Sequence, residues 1–273
     1  STKSFGVVFT PTFLRGFNAS IDYFDIKVED LIAPYGAAFI FNTCATSGDP
    51  RICALVQRDS NGVIYANKGT VDVTHNTGYL RTKGVDFEAN YRTNFSDLGM
   101  GDLGGLAFNF VGTYTDSLLS QPVPASIPGG GGTIECAGMY GPGFCGTPVP
   151  KWRHKLRVTW TSPWNVGLSV NWRYMSGVDF DELDPNPLLN SGRQDTIDAH
   201  IKAYNYFDLA ATWTVRDGTT LRMGVNNVFD KDPPLVDTNA IGISSPPFGN
   251  GNTYPGVYDS LGRTFFIGIT ADF

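Results

Sequence analysis

Two-residue alternation of apolar and polar positions recurs along the chain and sets its element plan. From Trp152 to Trp160, the residues Trp152, His154, Leu156, Val158 and Trp160 share one face, and Arg153, Lys155, Arg157 and Thr159 share the other. After a short Ser162-Pro163 turn, Trp164, Val166, Leu168, Val170, Trp172 and Tyr174 alternate with Asn165, Gly167, Ser169, Asn171 and Arg173. Val85, Phe87, Ala89 and Tyr91 oppose Asp86, Glu88, Asn90 and Arg92, and Phe207, Leu209, Ala211, Trp213 and Val215 oppose Asp208, Thr212, Thr214 and Arg216. A period of two puts successive side chains on opposite sides of a strand, so each stretch predicts a strand with one apolar and one polar face. Nine such strands are expected, at 3–11, 17–30, 79–95, 104–116, 151–161, 165–177, 202–216, 219–228 and 263–273.

The connections between them alternate in length. Tight turns fall at Ser162-Pro163 and Arg216-Asp217-Gly218, with a longer Gly-rich one near Asp97 to Gly105. Between these lie long Gly/Pro-rich segments at 30–79, 117–150, 177–201 and 229–262. A compact soluble sandwich rarely sustains so many long loops, whereas an outer-membrane barrel pairs short periplasmic turns with long extracellular loops. Trp152 and Trp160 lie eight residues apart on one face, as do Trp164 and Trp172. At about 3.3 Å per residue and a tilt near 45°, that spacing rises roughly 19 Å, close to the apolar band between aromatic girdles. Aromatics in a sandwich core explain the apolar faces but not Trp at both strand ends. An Asn61-Gly62 dipeptide between Cys53–Val56 and Val63–Tyr65 predicts a hairpin inside the first long loop.

Composition narrows the class. Of 273 residues, 41% are hydrophobic, enough for a sizeable core, and the net charge of −6 leaves no basic surplus for nucleic acid. Apolar runs fall far short of the roughly 18 residues of a membrane helix, which leaves strands as the way to cross a bilayer. The chain starts at Ser1-Thr2-Lys3 without signal-peptide features. Nine strands with short turns on the periplasmic side would start outside the cell, and bacterial single-chain barrels have even strand numbers. The expectation is therefore an all-β chain forming the C-terminal part of a larger barrel. The four cysteines fall into Cys44 with Cys53 and Cys136 with Cys145, equally spaced in loop-like stretches. Three connectivities are possible. Local disulfides in an oxidising compartment are favoured over a metal site, since neither pair is CxxC and no histidine lies near.

The final strand, Gly262-Arg263-Thr264-Phe265-Phe266-Ile267-Gly268-Ile269-Thr270-Ala271-Asp272-Phe273, has an apolar face of Phe265, Ile267, Ile269, Ala271 and Phe273. It resembles the C-terminal signal by which outer-membrane barrels are recognised by their assembly machinery. Upstream, Val225-Asn226-Asn227-Val228-Phe229-Asp230-Lys231-Asp232-Pro233-Pro234 resembles the NLFDKDPP segment of TonB-dependent receptors. Ile21 to Lys27 and Leu80 to Glu88 fit the same family. The resemblance implies an outer-membrane barrel of about 22 strands around an N-terminal plug, importing a scarce ligand on energy relayed by TonB. The plug, the TonB box and the earlier strands are expected outside residues 1–273. The implied partners are outer-membrane lipids, the rest of the barrel with its plug, the TonB complex, the assembly machinery and a small-molecule or oligosaccharide ligand. The twin Cys-bearing loops favour carbohydrate, with a ferric siderophore next. A passive porin and a soluble disulfide-bonded binding module are the alternatives.

Catalytic chemistry is not in evidence: there is no nucleophile elbow, phosphate loop or HExxH, and no cofactor motif. His75, His154 and His200 are scattered, with His154 on an apolar face near the outer rim. Asp179, Asp181, Glu182 and Asp184 are acidic enough to suggest calcium through Asp179, Asp181 and Asp184, though a solvated loop is the simpler reading. Tyr35, Tyr140, Phe144, Phe248 and Tyr254 fall in predicted loops and are the candidates for stacking on a ligand. Arg153, Arg157, Arg173, Arg216, Arg222, Asp86, Glu88 and Asp208 lie on polar faces, where a barrel would turn them to its lumen.

Overall fold

Nine long strands carry the alternating pattern: β1 (Thr2–Phe9), β2 (Phe17–Ala33), β3 (His75–Asn94), β4 (Gly105–Gln121), β5 (Trp152–Thr161), β6 (Val166–Met175), β7 (Tyr204–Arg216), β8 (Thr219–Asn226) and β9 (Thr264–Ala271). The computed structural model describes residues 1–64, 69–190, 192, 198–237 and 251–272. The nine strands hydrogen-bond in sequence order, β1 to β9, leaving β1 and β9 as edges. The chain divides into two compact units: Ser1–Lys3, Asp25–Thr82 and Ser117–Glu135 form one, and Ser4–Phe24, Lys83–Asp116 and Cys136–Phe273 the other.

Within the second unit the antiparallel register keeps each face chemically uniform. Phe108 lies opposite Val158, which lies opposite Val170. Leu209, Val225 and Phe265 follow in line, as do Ala211, Met223 and Ile267. The other face carries Asn109 opposite Arg157 opposite Asn171 opposite Asp208. A one-residue slip would exchange the faces, so the apolar pattern fixes the pairing. The apolar face is not covered by protein: Phe265, Ile267 and Ile269 are all more than 70% exposed. At one end of that face a band of rings links Phe110, Trp152, His154, Trp172 and Phe207. At the other end Trp160 meets Trp164 edge-on. The two girdles expected from the tryptophan spacing are both present.

In the same unit the buried hydrophobic core lies in the loops. Tyr140, Val178, Phe180, Ile201, Val236, Tyr254 and Tyr258 form one cluster, with Met175, Leu183, Tyr204 and Val257 against it. Short strands Met139–Tyr140, Val178–Phe180 and His200–Ile201 pair to make its backbone frame. The Cys136–Cys145 disulfide closes the first of these loops, with an S–S distance of 2.10 Å.

In the first unit, the region expected to be a hairpin flanking Asn61-Gly62 differs. Helices α1 (Ala37–Ser47) and α2 (Pro50–Cys53) precede it, so Cys53 is helical rather than extended. Asp49 caps α2 by accepting from the Arg51 N–H, with Pro50 at the first helical position, a start signal that outweighs a short apolar run. The Cys44–Cys53 disulfide staples α1 to α2. The Asn-Gly turn does form, with Gly62 donating to the Asp59 carbonyl, but the paired segments are Leu55 to Gln57 and Gly69 to Val71. Tyr65, one end of the expected second strand, lies outside the described residues. The unit is also tied by the Arg81 guanidinium, which donates to both Asp25 carboxylate oxygens at 2.7 and 2.5 Å.

Candidate ligand cleft beneath the loop cap

The polar face of β5 and β6 passes under the loop core and leaves a cleft of about 470 Å³ there. Its wall is Val111, Thr113, Arg153, Lys155, Arg173 and Tyr206, and its roof includes Pro148, Pro150, Gly256 and Val257. Register explains the convergence: Lys155 lies directly between Val111 and Arg173, and Arg153 between Thr113 and Met175. Like charges directly opposite one another, as with Lys155 and Arg173, destabilise a sheet. Of the two, Arg173 alone is compensated among the described residues.

Asp208 is the compensating group. It accepts from Arg173 Nε and Nη2, both at 2.9 Å, from Asn171 Nδ2 at 2.9 Å, and from the Asn227 backbone N–H at 3.0 Å. Arg173 also reaches Asp259 at 3.4 Å and lies 4.9 Å over the Tyr206 ring. The Asp259 backbone N–H in turn donates to the Tyr206 hydroxyl oxygen. Asn227 is 1% exposed and closes its own turn, donating to the Lys231 carbonyl and accepting from the Lys231 N–H. Asp230 then accepts from the Arg263 N–H at 2.8 Å. The Asn-Asn-Val-Phe-Asp-Lys-Asp segment and the Gly-Arg-Thr-Phe-Phe segment are thus two halves of one fastening, which joins the loop bases to β7 and β9. Arg153 and Lys155 are exposed and have no ion pair or side-chain hydrogen bond among the described residues. The cleft therefore offers one neutralised, rigid guanidinium and two uncompensated cations, a combination suited to an anionic ligand.

The expected ligand-stacking residues separate on inspection. Tyr140 is fully buried and donates to the Asp198 carbonyl, and Tyr254 is 7% exposed and packs edge-on against it at 5.9 Å. Both build the loop core and are closed to a ligand. Tyr35 stacks on His75 at 4.6 Å. Phe144 keeps 43% of its surface, and Phe248 lies outside the described residues, as does Phe273 of the terminal signal. Phe265, Ile267 and Ile269 do share the apolar face.

The three aspartates considered for calcium do not converge. Asp179 pairs with His200 at 2.7 Å, and Asp184 accepts from the Asn186 N–H. Asp181 is fully buried and accepts the Phe144 and Cys145 N–H groups, each at 2.9 Å, fastening the disulfide loop. Among the described residues no group of three His, Cys, Asp or Glu side chains could hold a metal ion.

Burial by the loop core pushes the Tyr254 phenol up to about 12 and raises Tyr140 and Tyr258 as well. A phenol held protonated in the fold and free to ionise near 10 when unfolded stabilises the cap at every lower pH. That contribution declines as pH rises from about 10 towards 12. The loop cap is expected to open cooperatively in that window, with tyrosinate absorbance and loss of protection from protease rising together. Tyrosinate appearing while the cap stays protected would contradict it.

The family model described as "TonB dependent receptor-like, beta-barrel" matches residues 1–228. No curated protein matches the chain. Among solved structures, a mutant ferric enterobactin receptor from Pseudomonas aeruginosa superposes with a TM-score of 0.60 at 15% identity, covering 100% of this chain and 31% of that one. The siderophore receptor PirA from Acinetobacter baumannii gives 0.57 at 15%, with 100% and 31% covered. The FrpB iron transporter from Neisseria meningitidis gives 0.52 at 15%, with 99% and 30% covered. The chain spans about a third of the length of these receptors.

Proposed function

Since the chain belongs to the TonB-dependent receptor family through its β-barrel, we propose that it forms wall and outer mouth of a receptor that draws an anionic nutrient of the ferric-siderophore class through the outer membrane. The family is one of transporters rather than enzymes, and its barrels lie in the outer membrane of Gram-negative cells, which locates this chain. In this reading residues 1–273 are the C-terminal part of the barrel. The remaining strands, the plug and the TonB-contacting segment belong to the rest of the receptor.

The observation that carries the ligand class is the cleft under the loop cap. Among the described residues Arg153 and Lys155 are cations without partners, held beside an Arg173 that three hydrogen bonds keep in place. A ferric siderophore presents several anionic oxygens around its metal and would satisfy them together. An uncharged oligosaccharide would leave both charges unused, and two of the aromatic rings suited to a sugar are buried. The proteins sharing the fold are named as a ferric enterobactin receptor, a siderophore receptor and an iron transporter, which agrees with an anionic cargo.

The test is competition binding on the full-length receptor with a panel of ferric siderophores and neutral oligosaccharides. Arg153→Glu with Lys155→Glu is expected to weaken the bound siderophore roughly tenfold or more, the scale of a lost charge-assisted contact. Collapse of the proton gradient is expected to stop uptake while leaving binding intact. Binding that ignores the two substitutions overturns the anionic reading, and uptake that survives a collapsed gradient overturns the active one.

A further inference from the structure

Two carboxylates hold Arg173, and they hold it unequally. The edge of the guanidinium formed by Nε and Nη2 meets Asp208 of the adjoining strand β7 in a two-bond fork, both at 2.9 Å. The edge formed by Nη1 and Nη2 is half used. Nη2 donates to one Asp259 oxygen at 3.4 Å, and Nη1 has no partner among the described residues. Tyr206, 1% exposed, keeps the guanidinium plane in place, with its ring centre 4.9 Å from Arg173 Cζ.

Asp259 stands in the loop between β8 and β9, next to Tyr258 of the loop core. Its other oxygen accepts from the Leu261 N–H at 3.3 Å, and its own N–H donates to the Tyr206 hydroxyl at 3.2 Å. These bonds anchor the backbone there whether or not the side chain holds Arg173. The single 3.4 Å contact lies beyond the usual N–H···O range and is weaker than the fork opposite. Both side chains also keep a share of solvent, 29% for Arg173 and 17% for Asp259. Paired anionic oxygens on a ligand would fill Nη1 and Nη2 together, the bidentate geometry that a guanidinium favours.

We propose that Asp259 is an internal competitor for the ligand, a carboxylate that occupies the free edge of Arg173 until paired anionic oxygens displace it. It thereby sets the charge that a cargo needs. With Asp259 in place, the cations Arg153, Lys155 and Arg173 share the carboxylates of Asp208 and Asp259. A singly charged cargo that displaces Asp259 exchanges one ion pair for another. A multiply charged cargo engages Arg153 and Lys155 as well, and the exchange then favours it. The inference rests on the cleft being the ligand site, as proposed above, and names what that site selects.

The experiment is equilibrium binding of ferric enterobactin, a multiply anionic tricatecholate, to the full-length receptor and to its Asp259→Asn variant. Asparagine keeps an acceptor for the Leu261 N–H and removes the charge. Binding is expected to tighten about fivefold, the upper end for a solvent-accessible ion pair. The gain is expected to persist in about 1 M salt, which screens the field of a charge that is merely nearby. In an Arg173→Lys background, which lacks the forked edge, the same substitution is expected to give no gain. Where Arg173→Lys does not fold, the salt test decides. Weaker or unchanged binding by Asp259→Asn makes Asp259 a support of Arg173 and overturns the proposal. A gain that salt abolishes, or that survives in Arg173→Lys, overturns it too. Inorganic pyrophosphate, with paired anionic oxygens and no iron, separates this question from that of the cargo. If Asp259→Asn tightens pyrophosphate while no ferric siderophore binds, the cargo assignment fails and the competitor stands. If ferric enterobactin binds both receptors equally, the competitor fails and the cargo assignment stands. If neither probe binds either receptor, both fail.

Discussion

Asp208→Ala is expected to destabilise the full-length receptor by about 2–3 kcal/mol and to abolish high-affinity binding in the cleft. The figure is the low end of the range for breaking a hydrogen-bonded charge pair, because Arg173 keeps some contact with solvent. The carboxylate accepts from Arg173, Asn171 and the Asn227 backbone at once, so its removal orphans three donors. Arg173 would keep only the 3.4 Å contact to Asp259 and its place over Tyr206. The Asn227 turn would lose its tie to β7, and with it the base of the loop that carries Tyr254 and Tyr258. Heat-induced loss of the folded band and siderophore titration measure the two effects. Asp208→Asn, which retains one acceptor oxygen, should fall between wild type and Ala. A receptor that keeps its stability and affinity as Ala would show that the cleft is organised by something other than this carboxylate.

Val158→Arg is the second large effect. Val158 sits between Phe108 and Val170 on the apolar face, midway between the two aromatic bands. A cation placed at the middle of a lipid-facing band costs about 2–4 kcal/mol, falling to little near its edges. Thr159→Arg, one residue along on the polar face and half-buried, keeps the cation out of the lipid-facing band and is expected to cost clearly less than Val158→Arg. Folding equilibria in lipid vesicles compare the two directly. Equal penalties would break the assignment of faces on which the transmembrane reading stands.

Much of this was legible residue by residue. The nine strands were, because a repeated period of two survives any tertiary context that buries one face in lipid and wets the other. The terminal motif was also legible, although its role was not. The alternation places Asp208 and Arg173 on the polar face without pairing them, and it says nothing of Asp259, of Tyr206 or of the burial of Asn227. Their partners stand 19 to 86 residues apart, joined through loops that have no period. The Asn-Asn pair before Val228 was the available signal, since a buried Asn closing its own turn is a common reason for such a residue. Tyr140 and Tyr254 misled for a related reason. Aromatics in a long loop are expected to be exposed, and here the loops pack against one another and bury them.

By itself, then, the sequence determined the strand number, the chemistry of each face and the alternation of short and long connections, and it favoured local pairing of the cysteines. Each of these rests on local spacing: a two-residue period, a turn dipeptide, a nine-residue loop closed by sulfur. Only the tertiary structure decided that the buried core of the second unit lies in the loops and that Arg173 is neutralised while, among the described residues, Arg153 and Lys155 are not. Those outcomes depend on which distant backbone a loop returns to and which charge arrives beside which. Side-chain burial and charge compensation are sums over neighbours in space, and strand periodicity carries no information about neighbours that a loop brings back.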